Sequence, residues 1–291
     1  MYVFEPARQV PGVFHRRLGD LSVTVFNDGY LDGSFDLVIN IPKEEAERLE
    51  RSAFRRSPPR LTVNAFAVSG PGGVTLIDAG GLGFLPTLGL LPANMEAAGI
   101  RPEMVNRILL THMHPDHVGA MTAESGAARF TNAEVVMHEK EAGFWLDPAT
   151  LGRVPEDARP YVETAQKAGR AYDGRIRTIT NGEGVPGIEI IAERGHTPGH
   201  SGWLVKSGND SLLIWGDIVH LPGIQFANPD AGVAFDADPN AARATRKRIF
   251  DMAATDHLLI AGMHLDFPAL GHLLPDGPGY RFVPENWVAG F

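Results

Sequence analysis

No cysteine occurs anywhere in this 291-residue chain. That absence removes disulfide frameworks, thiolate-bound zinc, iron–sulfur clusters and thiol nucleophiles together. No G-x-S-x-G turn is present, so there is no strained serine nucleophile of that type either. Basic residues are outnumbered, 26 Lys and Arg against 35 Asp and Glu, for a formal charge of −9. A chain of that sign suits neither a phosphate backbone nor an anionic bilayer, so nucleic acid and membrane are not expected partners. No run approaches the roughly 18–20 apolar residues of a membrane span. Met1 to Asp20 carries Glu5, Arg8, Arg16 and Arg17 with no signal-like apolar core. The expectation is a cytoplasmic protein, although a chain trimmed of a secretory leader would read the same.

What remains is ordinary for a globular protein, with 44% hydrophobic and 21% charged residues. No linker, low-complexity tract or convincing repeat divides the chain, so one domain over 1–291 is expected. Histidine is the abundance to explain, at 11 residues. Without cysteine, any bound metal must be held by histidine and carboxylate.

Apolar runs alternate with turn chemistry along the chain. Leu21–Phe26 reads as a strand running into a turn at Asn27-Asp28-Gly29. Leu61–Val68 and Val74–Ile77 read as a hairpin around Gly70–Gly73, and Lys43–Arg51 and Leu91–Ala98 as helices. Arg107–Leu110, Glu134–Met137, Ile188–Ile191, Trp203–Val205, Ser211–Ile214 and Leu258–Ile260 read as further strands. Asp238-Pro239 caps and opens a helix to about Ala254. The middle, Asp147 to Gly174, is polar and partly helical, and Gly271 to Phe291 reads as an irregular tail. Five strands each deliver a polar residue at the C-terminal end: Asp78, His112, His196, Asp217 and His264. Strand ends gathered on one rim are where α/β proteins place ligands.

His112-x-His114-x-Asp116-His117 packs four potential ligands into six residues. A lone histidine at a strand end is usually a hydrogen-bonded surface group. A block of three with an aspartate is different, because imidazole and carboxylate are the groups zinc binds at about 2.0–2.2 Å. Four such groups cannot easily share one tetrahedral ion and leave a position open. Two ions follow more naturally, His112 and His114 on one, Asp116 and His117 on the other.

The same residues, with Gly195-His196-Thr-Pro-Gly-His200, Gly216-Asp217 and His264, resemble the hydrolases of the metallo-β-lactamase superfamily. The likeness runs from Asn27-Asp-Gly29 to Gly279-Tyr-Arg-Phe-Val283. It is nearest the methyl parathion hydrolase and lactonase branch, especially over Thr111–Gly119, Glu139–Leu146 and Gly279–Pro284. The resemblance implies an α/β fold, a four-layer αβ/βα sandwich of two mixed sheets flanked by helices. It also implies two divalent ions, with zinc the expected metal. Carried over by position, His112, His114 and His196 would bind one ion and Asp116, His117 and His264 the other. Asp217 would bridge both, and Asp78 would orient a ligand histidine from behind. His200 and Thr197 would shape their loop.

Such a pair of ions can hold a hydroxide and polarise a carbonyl or phosphoryl oxygen, so hydrolysis is the expected chemistry. Asp116, Asp217 and His220 are the residues expected to carry it. True β-lactamases of the superfamily usually lack an aspartate at the place of Asp217, flavodiiron reductases usually carry a glutamate at that of His114, and glyoxalase II-like thioesterases continue into a helical domain. The substrate pocket is expected from Phe84, Trp145, Leu221, Phe226 and Phe235, with Leu85, Phe144, Phe267 and Leu270 on neighbouring loops. A lipophilic cleft suits a small neutral ester, lactone or aryl phosphotriester. His220 stands where many acyl-homoserine lactonases carry a tyrosine, and could donate to the substrate carbonyl or protonate the departing alkoxide. The expected activity is therefore lactone or aryl-ester hydrolysis with promiscuous organophosphate turnover. A dedicated phosphotriesterase, a non-catalytic metal-binding protein and an iron-dependent redox enzyme are the alternatives. Relatives in this branch resemble dimers, and the N-terminal stretch offers apolar surface for a homodimer.

Overall fold

The computed structural model describes residue 10 and residues 12–290. Residues 1–9 and 11 of the N-terminal stretch read for a leader and an interface lie outside them. The chain opens with β1 (Val13–Leu18), β2 (Leu21–Asp32), the short β3 (Val38–Ile39) and α1 (Lys43–Ser52). Then follow β4 (Arg60–Gly70), β5 (Gly73–Ile77), α2 (Leu91–Ala97), β6 (Val105–Leu109), the single turn α3 (Pro115–Val118) and β7 (Glu134–His138). Helices α4 (Glu139–Trp145) and α5 (Arg159–Ala171) lead to β8 (Ile176–Ile179). The second half holds β9 (Gly184–Val185), β10 (Ile188–Ala192), β11 (Ser201–Ser207), β12 (Asp210–Ile214), α6 (Pro222–Gln225) and β13 (Gly232–Val233). It closes with α7 (Pro239–Thr255), β14 (Leu259–Ala261), β15 (Leu270–Asp276) and β16 (Gly279–Pro284).

Two mixed sheets result, in the orders β1-β2-β4-β5-β6-β7-β8 and β16-β15-β14-β12-β11-β10-β9. Their strands alternate between two apolar environments, as a period of two requires. Val25, Phe66, Ile77, Leu109 and Val136 face the second sheet, where they meet Trp203, Leu212 and Ile214. Their neighbours Phe26, Leu76, Ile108, Val135 and Met137 turn outward to α2 and α5. Outside the second sheet lies α7, burying Ala242, Arg246, Ile249, Phe250 and Ala253, a stripe of helical spacing. Asp238 accepts from the backbone N–H of Asn240 and Ala241 and so caps it. The order is helix, sheet, sheet, helix: the metallo-β-lactamase fold.

Two sequence expectations are corrected. Asn27-Asp28-Gly29 is not a turn, because β2 continues through it with a shift of register against β4. Gly29, at φ 127°, lets the strand pass Thr87, whose carbonyl oxygen would lie 2.0 Å from any Cβ there. Asp28 instead turns inward and accepts the N–H groups of Gly81, Gly89 and Leu91. The tail is not irregular either, since β15 and β16 form a hairpin. Asp276-Gly-Pro-Gly279 supplies its turn, and the glycine and proline content behind the irregular reading makes the reversal. The edge strand β1 was missed, its apolar residues being interrupted by Arg16 and Arg17.

No helix among the described residues is long and apolar enough to cross a membrane.

Candidate metal centre

Strands β5, β6, β10, β12 and β14 all point their C-terminal ends at one rim, and the loops leaving them carry the expected residues. After β6 the chain passes Thr111–His114 and enters α3 at Pro115, whose missing N–H costs nothing at a first helical turn. Asp116 and His117 thereby sit on that turn, beside His112 and His114. Gly195-His196 follows β10, Gly216-Asp217 follows β12 and His264 follows β14.

Their nitrogen and oxygen atoms fall into two groups that share Asp217. In one, Nδ1 of His114 lies 3.0 Å from Nε2 of both His112 and His196. Asp217 Oδ2 completes it at 3.6 Å from His112 and 3.3 Å from His196. In the other, His117 Nε2 lies 3.5 Å from Asp116 Oδ2 and 3.3 Å from Asp217 Oδ1. His264 Nε2 stands 3.6 Å from Asp116 Oδ2 and 3.2 Å from Asp217 Oδ2. Ligands about 2.1 Å from a tetrahedral ion are about 3.4 Å from one another, so both groups have the spacing of a coordination shell.

The rings are held from outside. Nδ1 of His117 meets Asp78 Oδ2 at 2.7 Å, that of His196 meets Asp236 Oδ1 at 2.9 Å, and that of His264 meets the Thr62 carbonyl at 2.8 Å. Nδ1 of His112 lies 3.0 Å from the Thr111 hydroxyl, which itself donates to Asp78. Every one of these partners accepts, so each Nδ1 carries a hydrogen and each Nε2 is turned inward. Asp78 thus stands behind His117. His200 takes no place in the two groups: its Nδ1 donates to the Glu193 carbonyl and its Nε2 accepts the N–H of Asp217. Burial holds it neutral, with a pKa lowered to about 3.

Two buried carboxylates facing this many imidazoles need cations. Protons can serve in part: burial works against the charged form of His196, but hydrogen bonds to Asp217 and Asp236 outweigh it and raise its pKa to about 9. His117 is likewise raised well above the usual value, burial being overcome by Asp217, Asp116 and Asp78. Protons still leave His117 Nε2 and Asp217 Oδ1 buried without a hydrogen bond. A cation between them would satisfy both atoms, so these residues fit a pair of divalent ions.

Above the groups opens a cleft of about 460 Å³. One wall is aromatic, with Phe84, Phe144, Trp145 and Tyr161 around His114, which meets Trp145 and Tyr161 edge-on at 5.3 and 5.8 Å. The other has Leu31, Leu61, Ala234 and Phe235 beside His220 and His264. No lysine or arginine lines it among the described residues. Phe84, Trp145 and Phe235 are therefore at the cleft; Leu221 and Phe226 are not. Leu221 packs with Phe35, Ala46 and Ile224, and Phe226 stacks on Phe282 at 5.6 Å in the core. Pro222 opens α6 just past His220 and turns the chain inward, which proximity in sequence does not reveal. His220 itself is buried, its Nε2 3.1 Å from Asp217 Oδ2 and its Nδ1 without a partner.

Three residues escaped the sequence reading. Glu141 is buried and ties two loops of the site together. It accepts from the N–H of Met113, the hydroxyl of Thr197 and the N–H of Gly199. Tyr161 lay in the polar middle segment, and Asp236 beside a more obvious cap at Asp238. Neither carries a local signal.

A family model, that of the metallo-beta-lactamase superfamily, matches residues 58–264, and the chain belongs to that superfamily. It is similar to the solved hydrolase AbOPH in the beta lactamase superfamily, at 34% identity over 97% of this chain and all of that one, with a TM-score of 0.90. AidC, a dizinc quorum-quenching lactonase solved with a product, shares the fold at 24% identity, covering 96% of this chain and 99% of its own, with a TM-score of 0.89. YobT of Bacillus subtilis (strain 168) is 31% identical over 166 residues, which are 57% of this chain and 66% of that protein.

Proposed function

We propose that the protein is a dinuclear metal-dependent hydrolase that opens lactones or cleaves lipophilic aryl carboxylic esters, with organophosphate triesters as secondary substrates. One observation carries the reading: six His and Asp side chains able to ligate a metal converge around Asp217 at the floor of an apolar cleft. His112, His114 and His196 would hold one ion, Asp116, His117 and His264 the other, with Asp217 shared. Zinc is the metal we expect, since His and carboxylate sites of this spacing suit it. Bound there, two ions supply a hydroxide nucleophile and polarise the ester oxygen.

The chain's own groups do the rest. The aromatic wall holds the acyl or aryl part and keeps water from it, while the lack of cationic lining among the described residues favours a neutral substrate. His220 lines the cleft beside Asp217. Burial lowers its pKa to about 4, so the ring is neutral, and its single hydrogen, on Nε2 beside Asp217 Oδ2, is the one it could offer to the ester oxygen. The AidC fold supports the lactonase side of the proposal, and the likeness of Thr111–Gly119 to methyl parathion hydrolases supports the organophosphate side.

The test is kcat/KM on dihydrocoumarin, an acyl-homoserine lactone, 4-nitrophenyl butyrate and methyl parathion, with protein of known metal content. Lactone or aryl ester should lead. Methyl parathion far ahead of the others would make it a dedicated phosphotriesterase, and a loaded protein inert to all four would leave a metal-binding protein without catalysis. His220→Ala should lose about 10–100-fold on the leading substrate if the ring contacts the ester.

A further inference from the structure

The segment from Asp217 to Ala237 carries the shared carboxylate at one end and the cleft-wall residues Ala234 and Phe235 at the other. Both ends close on the same buried arginine. Arg246, from α7, donates through Nε to the Ile218 carbonyl at 2.8 Å and through Nη1 to those of Pro229 and Ala231 at 3.2 and 2.8 Å. Its Nη2 lies 3.9 Å from Asp236 Oδ2, with both side chains buried. The other oxygen of Asp236 faces His196 Nδ1 at 2.9 Å, and Ala237 N–H donates to the His196 carbonyl. A guanidinium, a carboxylate and a ligand imidazole therefore stand in line, and the cleft wall hangs from that line.

We propose that Asp236 is a positioning residue that fixes the His196 ring for cation binding and, through Arg246, makes the wall bearing His220 and Phe235 part of the same unit. The inference rests on the metal-dependent reading above. Without the Asp236 acceptor, His196 is free to carry its hydrogen on Nε2 or to rotate, and the ion it helps to hold loses a fixed ligand. The linkage is reciprocal: an ion on His196 draws Asp236, and with it Val233–Ala237, into place, so loading orders one side of the substrate cleft.

The experiment uses the full chain and Zn²⁺ alone, titrated against a competing chelator dye, with hydrogen exchange followed over 226–237. Wild type should bind two ions and gain protection in that segment on loading. Asp236→Ala should bind one of the two about 10–100-fold more weakly and gain little protection. Asp236→Asn, whose amide oxygen can still accept from Nδ1, should recover most of both. Should the alanine variant not fold, Asp236→Ser, too short to reach the ring, repeats the test. Unchanged affinity for both ions in the alanine or serine variant, or an equal fall in both, overturns the inference alone. A wild type that binds no zinc overturns the metal-dependent reading and the inference together.

Discussion

Nδ1 of His117 and Oδ2 of Asp78 stand 2.7 Å apart with both side chains almost wholly enclosed. The same carboxylate accepts the N–H and hydroxyl of Thr111, so one aspartate aligns two adjacent stretches of the ligand loop. Asp78→Ala should weaken binding of the ion assigned to His117 by about 10–100-fold. It should also cost about 1–3 kcal/mol of stability, because the Thr111 N–H is left buried and unpaired. Zinc titration and urea denaturation of the metal-free protein check the two effects separately.

Metal affinity should rise with pH. His196 holds a proton up to about pH 9 in the metal-free protein, and an ion binding at its Nε2 must displace that proton. Affinity should therefore climb as pH rises from 7 towards 9 and level off above it. In the metal-free protein the sign is opposite: the raised pKa contributes stability that is fully present below about 6.5 and lost as pH rises through about 9. Calorimetry in buffers of different ionisation enthalpy would count the released protons; no release at pH 7 would contradict this account.

Phe226 and Phe235 should behave as opposites. Phe226 stacks on Phe282 and abuts Phe250 in the core, so Phe226→Ala should cost about 3–5 kcal/mol. Phe235 is 37% exposed at the cleft mouth, and its removal should cost little stability. It should instead raise KM for long acyl or aryl substrates. Thermal melts set beside substrate-length series distinguish the two positions.

Charge at the far end of the substrate should matter. With no lysine or arginine on the cleft walls among the described residues and Asp157 at its edge, a carboxylate carried away from the scissile bond finds no partner there. Matched 4-nitrophenyl esters, one neutral and one ending in a carboxylate, should differ at least about tenfold in kcat/KM, favouring the neutral one. Equal turnover would show that the remote end never enters the cleft.

The residues gathered around Asp217 were legible in sequence largely because most lie just past a strand: the apolar run marks the strand, and the strand's end marks the rim. His112 to His117 also needed their close spacing as a block, and their sharing-out between two ions came from the family resemblance. The cleft was half legible. Trp145 and Phe235 are at the opening, but Leu221, one residue from His220, is turned away by a helix that starts at Pro222. Asp236 and Glu141 were illegible for a different reason. Their work lies in contacts across 40 and 56–58 residues, to His196 and to Thr197 and Gly199, and no local pattern encodes such partners. The β15–β16 hairpin was masked by its own turn residues.

Each of the two ligand groups draws on both sheets: His112, His114, Asp116 and His117 leave the first, while His196, Asp217 and His264 leave the second. Neither group exists until both sheets are built and laid together. A divalent ion can therefore find its complete shell only after the slow, non-local part of folding is over. Its stabilisation should fall on the unfolding rate, leaving refolding nearly as fast in a chelator as in zinc. The metal would act as a latch on a door already closed.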